Sequence, residues 1–252
     1  MDSELFITAI GLREPLPEDS YWRSLAVIKS LQRMERLELT KPVTFLVGEN
    51  GIGKSTLIEA IAVHQGFNPE GGTVNFSFST EDSHSELHKY LRVQRGKNIR
   101  RDGFFLRAES FYNVASNIDQ MDRIPAPGPR VIDSYGGVSL HKQSHGESFM
   151  ALVENRFKGN GLYILDEPEA ALSPSKLLEL IYHIHDLEQK HSQFIISTHS
   201  PILMAYPNAQ ILYLTEAGIR NVSYDETEHY RITKQFLDSP ERMFRYLLSD
   251  EE

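Results

Sequence analysis

The chain has 252 residues, 40% hydrophobic and 24% charged, enough for one large α/β domain or two small ones with a proper core. It contains no cysteine, which excludes disulfides, thiol catalysis and cysteine–zinc sites and fits a reducing interior, and its net charge of −9 argues against a surface that attracts nucleic acid as a whole. No apolar run approaches the ~18 residues of a membrane span, and the start "MDSELFITAI" carries two acids in place of a basic, then apolar, leader. A cytoplasmic setting is expected.

The first forty residues hold three apolar-rich segments that read as strands: "ELFITAIGL", "SLAVIKSL" and the alternating "MERLELT". Val43–Val47 is a short, nearly all-apolar run of the kind expected for a buried parallel strand. After a glycine-rich stretch, Ser55–Val63 has helical apolar spacing at Leu57, Ile58, Ile61 and Ala62. Residues 66–83 read as a loop and an exposed strand, and "GFFLRAESF" (103–111) as a further strand. Lys89–Arg101 holds six basic residues and no acid. It is either a solvated face or a patch for nucleic acid or a protein partner.

"PAPGP" (125–129) prevents a long helix. "GLYILDEPEAALSP" supplies a buried strand ending at Asp166. Ser173 then has the character of an N-cap with Pro174 at the first helical position. Leu177, Leu180, Ile181, Ile184 and Leu187 form one helical stripe, "QFIISTHSP" a third buried strand, and "QILYLTEAGIRNVSY" a hairpin turning at Glu216–Gly218. The tail from Asp225 is expected to be helical. Buried strands alternating with helices predict an α/β fold with a mostly parallel central sheet flanked by helices, and a short antiparallel N-terminal sheet.

Gly48, Glu49, Asn50, Gly51, Ile52, Gly53, Lys54, Ser55 and Thr56 spell the complete phosphate-loop pattern G-x-x-x-x-G-K-[ST]. Glycines let consecutive backbone N–H groups curl around phosphate oxygens, and the following helix aims its positive end at the same anion. Lys54 would neutralise the β and γ phosphates and Ser55 would ligate Mg²⁺. "LYILDE" completes the constellation: Asp166, at the carboxyl end of a buried strand, can hold Mg²⁺, and Glu167 can accept a proton from an attacking water. This is a P-loop nucleoside-triphosphatase arrangement that calls for a nucleoside triphosphate and Mg²⁺.

From Val43 to Pro201 the chain resembles the ABC-type ATPases motif by motif. Within them it is most similar to the small stand-alone ATPases related to the heads of chromosome-maintenance and double-strand-break-repair proteins. "GENGIGKST" corresponds to Walker A, "LYILDE" to Walker B, "EAALSP" to the D-loop, and His199 in "STHSP" to the switch histidine, 32 residues beyond Glu167. The resemblance implies that His199 touches the γ-phosphate and the attacking water.

Gln143, Ser144, His145, Gly146 and Glu147 align with the signature Leu-Ser-Gly-Gly-Gln, Ser144 falling 22 residues before Asp166. His145 stands where the family has glycine and would add a titratable contact. Glu109 is the positional candidate for the Q-loop metal ligand, and Tyr21 or Trp22 for the adenine-stacking aromatic, with core packing the plainer role for both.

The resemblance further implies a single ATPase domain over 1–252, with a shortened, reduced helical signature subdomain at 110–146 and a C-terminal hairpin and helices at 207–252. It implies a homodimer with ATP sandwiched between Walker A of one copy and the signature of the other. The 34 residues between Glu109 and Ser144 leave no room for a coiled-coil arm. The expected function is ATP hydrolysis coupled to dimerisation, acting on a partner in DNA repair, nucleic-acid surveillance or defence. The alternatives are a slow nucleotide-gated binding module and the ATP subunit of a membrane transporter. A small-molecule kinase needs neither "DEPEAALSP" nor "STHSP". A serine hydrolase on Ser144 and His145 lacks the G-x-S-x-G elbow.

Overall fold

The computed structural model describes residues 5–74, 85–123 and 128–248. The chain opens with strand β1 (Ile7–Leu12), helix α1 (Ala26–Arg33) and the two-residue strand β2 (Leu37–Glu38). Strand β3 (Val43–Gly48) leads through the glycine-rich loop into α2 (Lys54–His64). Strands β4 (Leu91–Arg95) and β5 (Asp102–Arg107) follow, then α3 (Phe111–Met121) and α4 (His145–Arg156). The second half alternates β6 (Gly161–Asp166), α5 (Pro174–Gln189), β7 (Gln193–Ser197) and the single-turn α6 (Pro201–Met204). It closes with the hairpin β8 (Gln210–Thr215) and β9 (Gly218–Val222) and the helices α7 (Glu228–Asp238) and α8 (Pro240–Leu248).

A six-stranded sheet, ordered β5-β6-β7-β3-β8-β9, is parallel except for β9, and a three-stranded antiparallel sheet, β2-β1-β4, accompanies it. The parallel strands are apolar on both faces because both are covered. Phe45, Tyr163, Leu165, Phe194 and Ile196 point into a core shared with Phe149, Leu152, Leu180 and Ile184, from α4 and α5. Their alternating neighbours Leu46, Ile164, Ile195 and Leu212 face Ile28, Leu57, Ile58 and Ile61 from α1 and α2, together with Ile7 and Ile10 of the small sheet. Gln193 ties the sheets together: its Oε1 accepts from the backbone N–H of Phe6 and Ile7, 2.9 Å each, and its amide donates to Ile7 O.

One expected element is corrected. "SLAVIKSL" forms α1, a helix, where a strand was expected. Val27, Ile28 and Leu31 are buried while Lys29, Gln32 and Arg33 are exposed, a 3.6-residue period that outweighs the strand preference of Val and Ile. "MERLELT" yields only the two residues of β2. The exposed strand expected within 66–83 falls mostly on residues 75–83, outside the described residues, as do Pro125–Pro127 of "PAPGP". Ser173 caps α5 as expected, its hydroxyl accepting from Lys176 N. No helix among the described residues is long and apolar enough to cross a membrane.

The basic stretch 89–101 spends part of its charge internally. Lys89 pairs with Glu86, and Arg100 lies over the Phe67 ring, 4.6 Å from its centroid, while donating to Gln65 O.

Candidate functional site

Parallel register brings the chemistry to one edge. Asp166 at the end of β6 is paired with Arg107 on one side and Ser197 on the other, and Leu46, two residues before the end of β3, is paired with Ser197. The phosphate loop leaves the sheet at this carboxyl edge, where ligands of open α/β sheets gather. Two glycines are dictated by space: a Cβ on Gly48 would lie 2.4 Å from Leu214 O, and one on Gly53, at φ 102°, 2.6 Å from Val27 Cγ1.

With Gly53 at its cap, α2 has no side-chain cap and no acid in its first turn. Its orphan N–H groups and positive end therefore face the loop uncompensated, a ready site for an anion. Lys54 is 4% exposed and curls back to donate to Gly48 O and Glu49 O, at 2.8 and 2.9 Å. Burial holds its ammonium below the usual lysine range, opposed by Glu167, Asp166 and Glu169.

Asp166 is 4% exposed and fully engaged. Ser197 Oγ donates to Oδ1 at 2.5 Å, Ser55 Oγ lies 3.2 Å from the same oxygen, and Arg107 Nε donates to Oδ2 at 3.2 Å. Arg107 also donates to Glu59 Oε2 at 2.9 Å, so one guanidinium serves two buried carboxylates. The Ser55 hydroxyl and the Asp166 carboxylate form an all-oxygen donor set that suits a hard divalent cation.

Glu167 adopts the left-handed region at φ 49°, ψ 54°, uncommon for a residue with a side chain. Its N–H donates to Ser197 O and Oγ, at 3.1 and 3.2 Å, which holds that backbone turn. Its Oε1 lies 3.5 Å from His199 Nε2. Burial, reinforced by Asp166, raises its pKa above the ordinary carboxylate range. His199 is held from behind, its N–H donating to Glu169 Oε1 at 2.5 Å. Burial, with Lys54 adding, keeps its ring below the usual histidine pKa.

A cleft of about 520 Å³ runs over these groups, lined by the phosphate loop, Arg107, Glu109, Asp166 and Glu167, with Ala170, Ala171 and His145 on its wall. That volume is in the range of small-molecule sites. The structure thus gathers Ser55, Asp166, Glu167 and the phosphate loop, with His199 alongside, and puts Glu109 on the same cleft. Of the signature residues, His145 lines this cleft in the same chain, its ring edge-on to Phe111. Ser144 caps α4 in a capping box with Glu147: the Ser144 N–H and Oγ donate to Glu147 Oε2 at 2.9 and 2.6 Å.

Neither candidate aromatic lines the cleft. Trp22 is buried against Tyr90, as core packing would have it, whereas Tyr21 is 65% exposed, and Leu25 takes a place in the lining. Arg107, Ser197 and Glu169 went unread in the sequence. Only strand register and burial single them out.

Two family models match the chain. The model described as "AAA domain" covers residues 24–120, and the one described as "AAA domain, putative AbiEii toxin, Type IV TA system" covers 141–205. Both matches are to AAA domains, consistent with a small P-loop ATPase of the ABC-like type. This ATP hydrolase is 24% identical over 236 residues to the xylose/arabinose import ATP-binding protein of Sulfolobus acidocaldarius, with 84% of this chain and 89% of that one covered. Its fold resembles an ATP-binding cassette of an ABC transporter (16% identity, 93% of this chain and 98% of that one, TM-score 0.52). It also resembles cbiO1 from Clostridium perfringens (16% identity, 96% and 99%, TM-score 0.50).

Proposed function

We propose that the ATPase works as one domain that binds ATP in the cleft and hydrolyses it as part of a dimerisation cycle. The observation that carries this reading is the convergence on Asp166. A phosphate-loop hydroxyl, a strand-end hydroxyl and an arginine meet on one buried carboxylate, with Glu167 turned toward His199 beside it.

In this reading the backbone N–H groups of 48–56 and Lys54 cradle the phosphates, and Ser55 and Asp166, with Glu109 from the same cleft, would hold Mg²⁺. Bound there, the ion would supply charge neutralisation for the phosphates. Glu167, ionised, accepts a proton from water. The water oxygen bonds to the γ-phosphorus, the bond to the β–γ bridging oxygen breaks, and ADP and phosphate result. His199 contacts the γ-phosphate side of the site.

The signature residues Ser144, His145, Gly146 and Glu147 act on the nucleotide of a second copy, so that two chains enclose two ATP molecules with twofold symmetry. Support comes from the start of α4, where Ser144 and His145 are exposed to a second copy. The cycle serves a partner, a protein or nucleic acid, in repair, surveillance or defence; the toxin–antitoxin description of the matching family model favours defence. A second reading, the ATP subunit of an importer, is favoured by the likeness to the import ATP-binding protein.

The test is Glu167→Gln at saturating Mg-ATP, followed by light scattering and pull-down. Turnover should fall by ~10³-fold, the size expected for a lost general base, while a dimer accumulates and holds its partner. A variant that stays monomeric overturns the dimer reading, and recovery of membrane subunits favours the importer.

A further inference from the structure

His229 is the second residue of α7, 30 positions from His199. Its Nε2 nevertheless lies 3.0 Å from His199 Nδ1, with the rings 5.2 Å apart and inclined at 50°. The two remaining ring nitrogens, His199 Nε2 and His229 Nδ1, are buried without a hydrogen-bond partner among the described residues. His229 is held in place by the residues beside it. Thr227, wholly buried, caps α7 by accepting from Tyr230 N at 3.3 Å and donates to Tyr224 O at 2.7 Å. Glu228 ties the same turn to β8 through Tyr213 Oη at 3.4 Å.

Burial is the main reason both rings sit below the usual histidine range, with Lys54 acting on each and His199 also on His229. The positive end of α7 acts on His229 in the same direction. A single Nδ1–Nε2 contact needs one donor and one acceptor, so with neutral rings, as expected at pH 7.5, one proton is shared across it. Two arrangements satisfy it. If His199 Nδ1 carries the proton, its Nε2 is a bare lone pair 3.5 Å from the Glu167 carboxylate, and the two repel. If His229 Nε2 carries it, His199 is protonated at Nε2 and presents a donor to Glu167. The Glu167 oxygen beside Nε2 is an acceptor, so the contact favours the second.

We propose that His229 is a positioning residue for His199. Its Nε2–H donates to His199 Nδ1, fixing the tautomer whose Nε2–H faces Glu167. A neutral imidazole cannot choose its protonated nitrogen by itself; the bond made by the other nitrogen chooses it. Sequence spacing alone leaves His199 without an orienting group, because His229 lies beyond the hairpin on another helix. The proposal rests on the reading of His199 as a γ-phosphate-side group.

The test uses the full chain with two readouts. In the nucleotide-free protein, ¹⁵N shifts of the His199 ring should show a bare Nδ1 and a protonated Nε2. Steady-state kinetics then compare His229→Phe, which keeps a ring of similar shape without the donor, with His229→Gln, which offers an N–H at similar reach. His229→Phe should lower kcat about 10-fold, less than the roughly 10²–10⁴-fold of a lost acid–base group because His199 itself remains, with KM for Mg-ATP within about 2-fold. His229→Gln should recover most of the loss. The double variant with His199→Ala should be no slower than His199→Ala alone, since residues acting as a unit are not additive.

His229→Phe at wild-type kcat, His229→Gln as slow as His229→Phe, or a His199 protonated at Nδ1 each overturns the proposal. Wild-type turnover in His199→Ala instead removes the γ-phosphate reading, while the ring shifts still decide the tautomer.

Discussion

The phosphate loop, which lines the cleft, and the His199–His229 pair, which reaches it through Glu167, are built differently. The loop is nine consecutive residues between a buried strand and a helix, and its chemistry is local: glycines admit the backbone turn, and α2 supplies unpaired N–H groups. The histidine pair joins the turn after β7 to the first turn of α7, and neither ring is fixed by its own neighbours in sequence. A site can thus bind its anion through local structure while relying on long-range packing to set the proton on the group beside it.

Changes that break the local half should have the largest effect. Lys54→Ala removes the buried ammonium from the loop and should weaken Mg-ATP binding by about 100-fold or more, measured by titration calorimetry, with the unfolding midpoint nearly unchanged. Binding at wild-type affinity would mean that α2 alone carries the anion.

Arg107→Leu probes the tertiary half. It leaves the buried Asp166 and Glu59 carboxylates without their shared partner and should cost about 3 kcal/mol of stability, read by urea denaturation. Arg107→Lys, which cannot reproduce the two-acid bridge, should recover only part of that.

The smallest effect concerns pH. His199 and His229 have folded-state pKa values below their unfolded value of about 6.5. As pH falls through that value the unfolded chain takes up protons that the folded chain refuses, so stability present above about pH 6.5 is lost below it. Denaturation midpoints between pH 7.5 and 5.5 should show this loss, and His229→Phe should reduce its slope. His64, also depressed mainly by burial, leaves a residual slope in that variant. An unchanged slope would mean that the pair does not set the pH response.

Legibility followed the range of the physics. β3, β6 and β7 were readable because strands buried on both faces need unbroken apolar runs. The β8–β9 hairpin was readable from the turn at Glu216–Gly218. α1 is hidden in the sequence because Val and Ile favour strands when packing is unknown, whereas the burial of Val27, Ile28 and Leu31 on one face makes it a helix. Among the candidate site residues, "GENGIGKST" and "LYILDE" announced themselves by type and spacing. Arg107 sits at the end of an unremarkable strand, and only the pairing of β5 with β6 brings it to Asp166.

The sequence by itself determined the phosphate loop, the acidic pair after β6 and the alternation of buried strands with helices, because those depend on neighbours within a few residues. Tertiary structure alone decided that Ser197 and Arg107 share Asp166 with Ser55, that His145 lines the cleft, and that His229 meets His199. Those contacts depend on strand register and helix docking, which bring together residues as many as 111 positions apart and which no local pattern encodes.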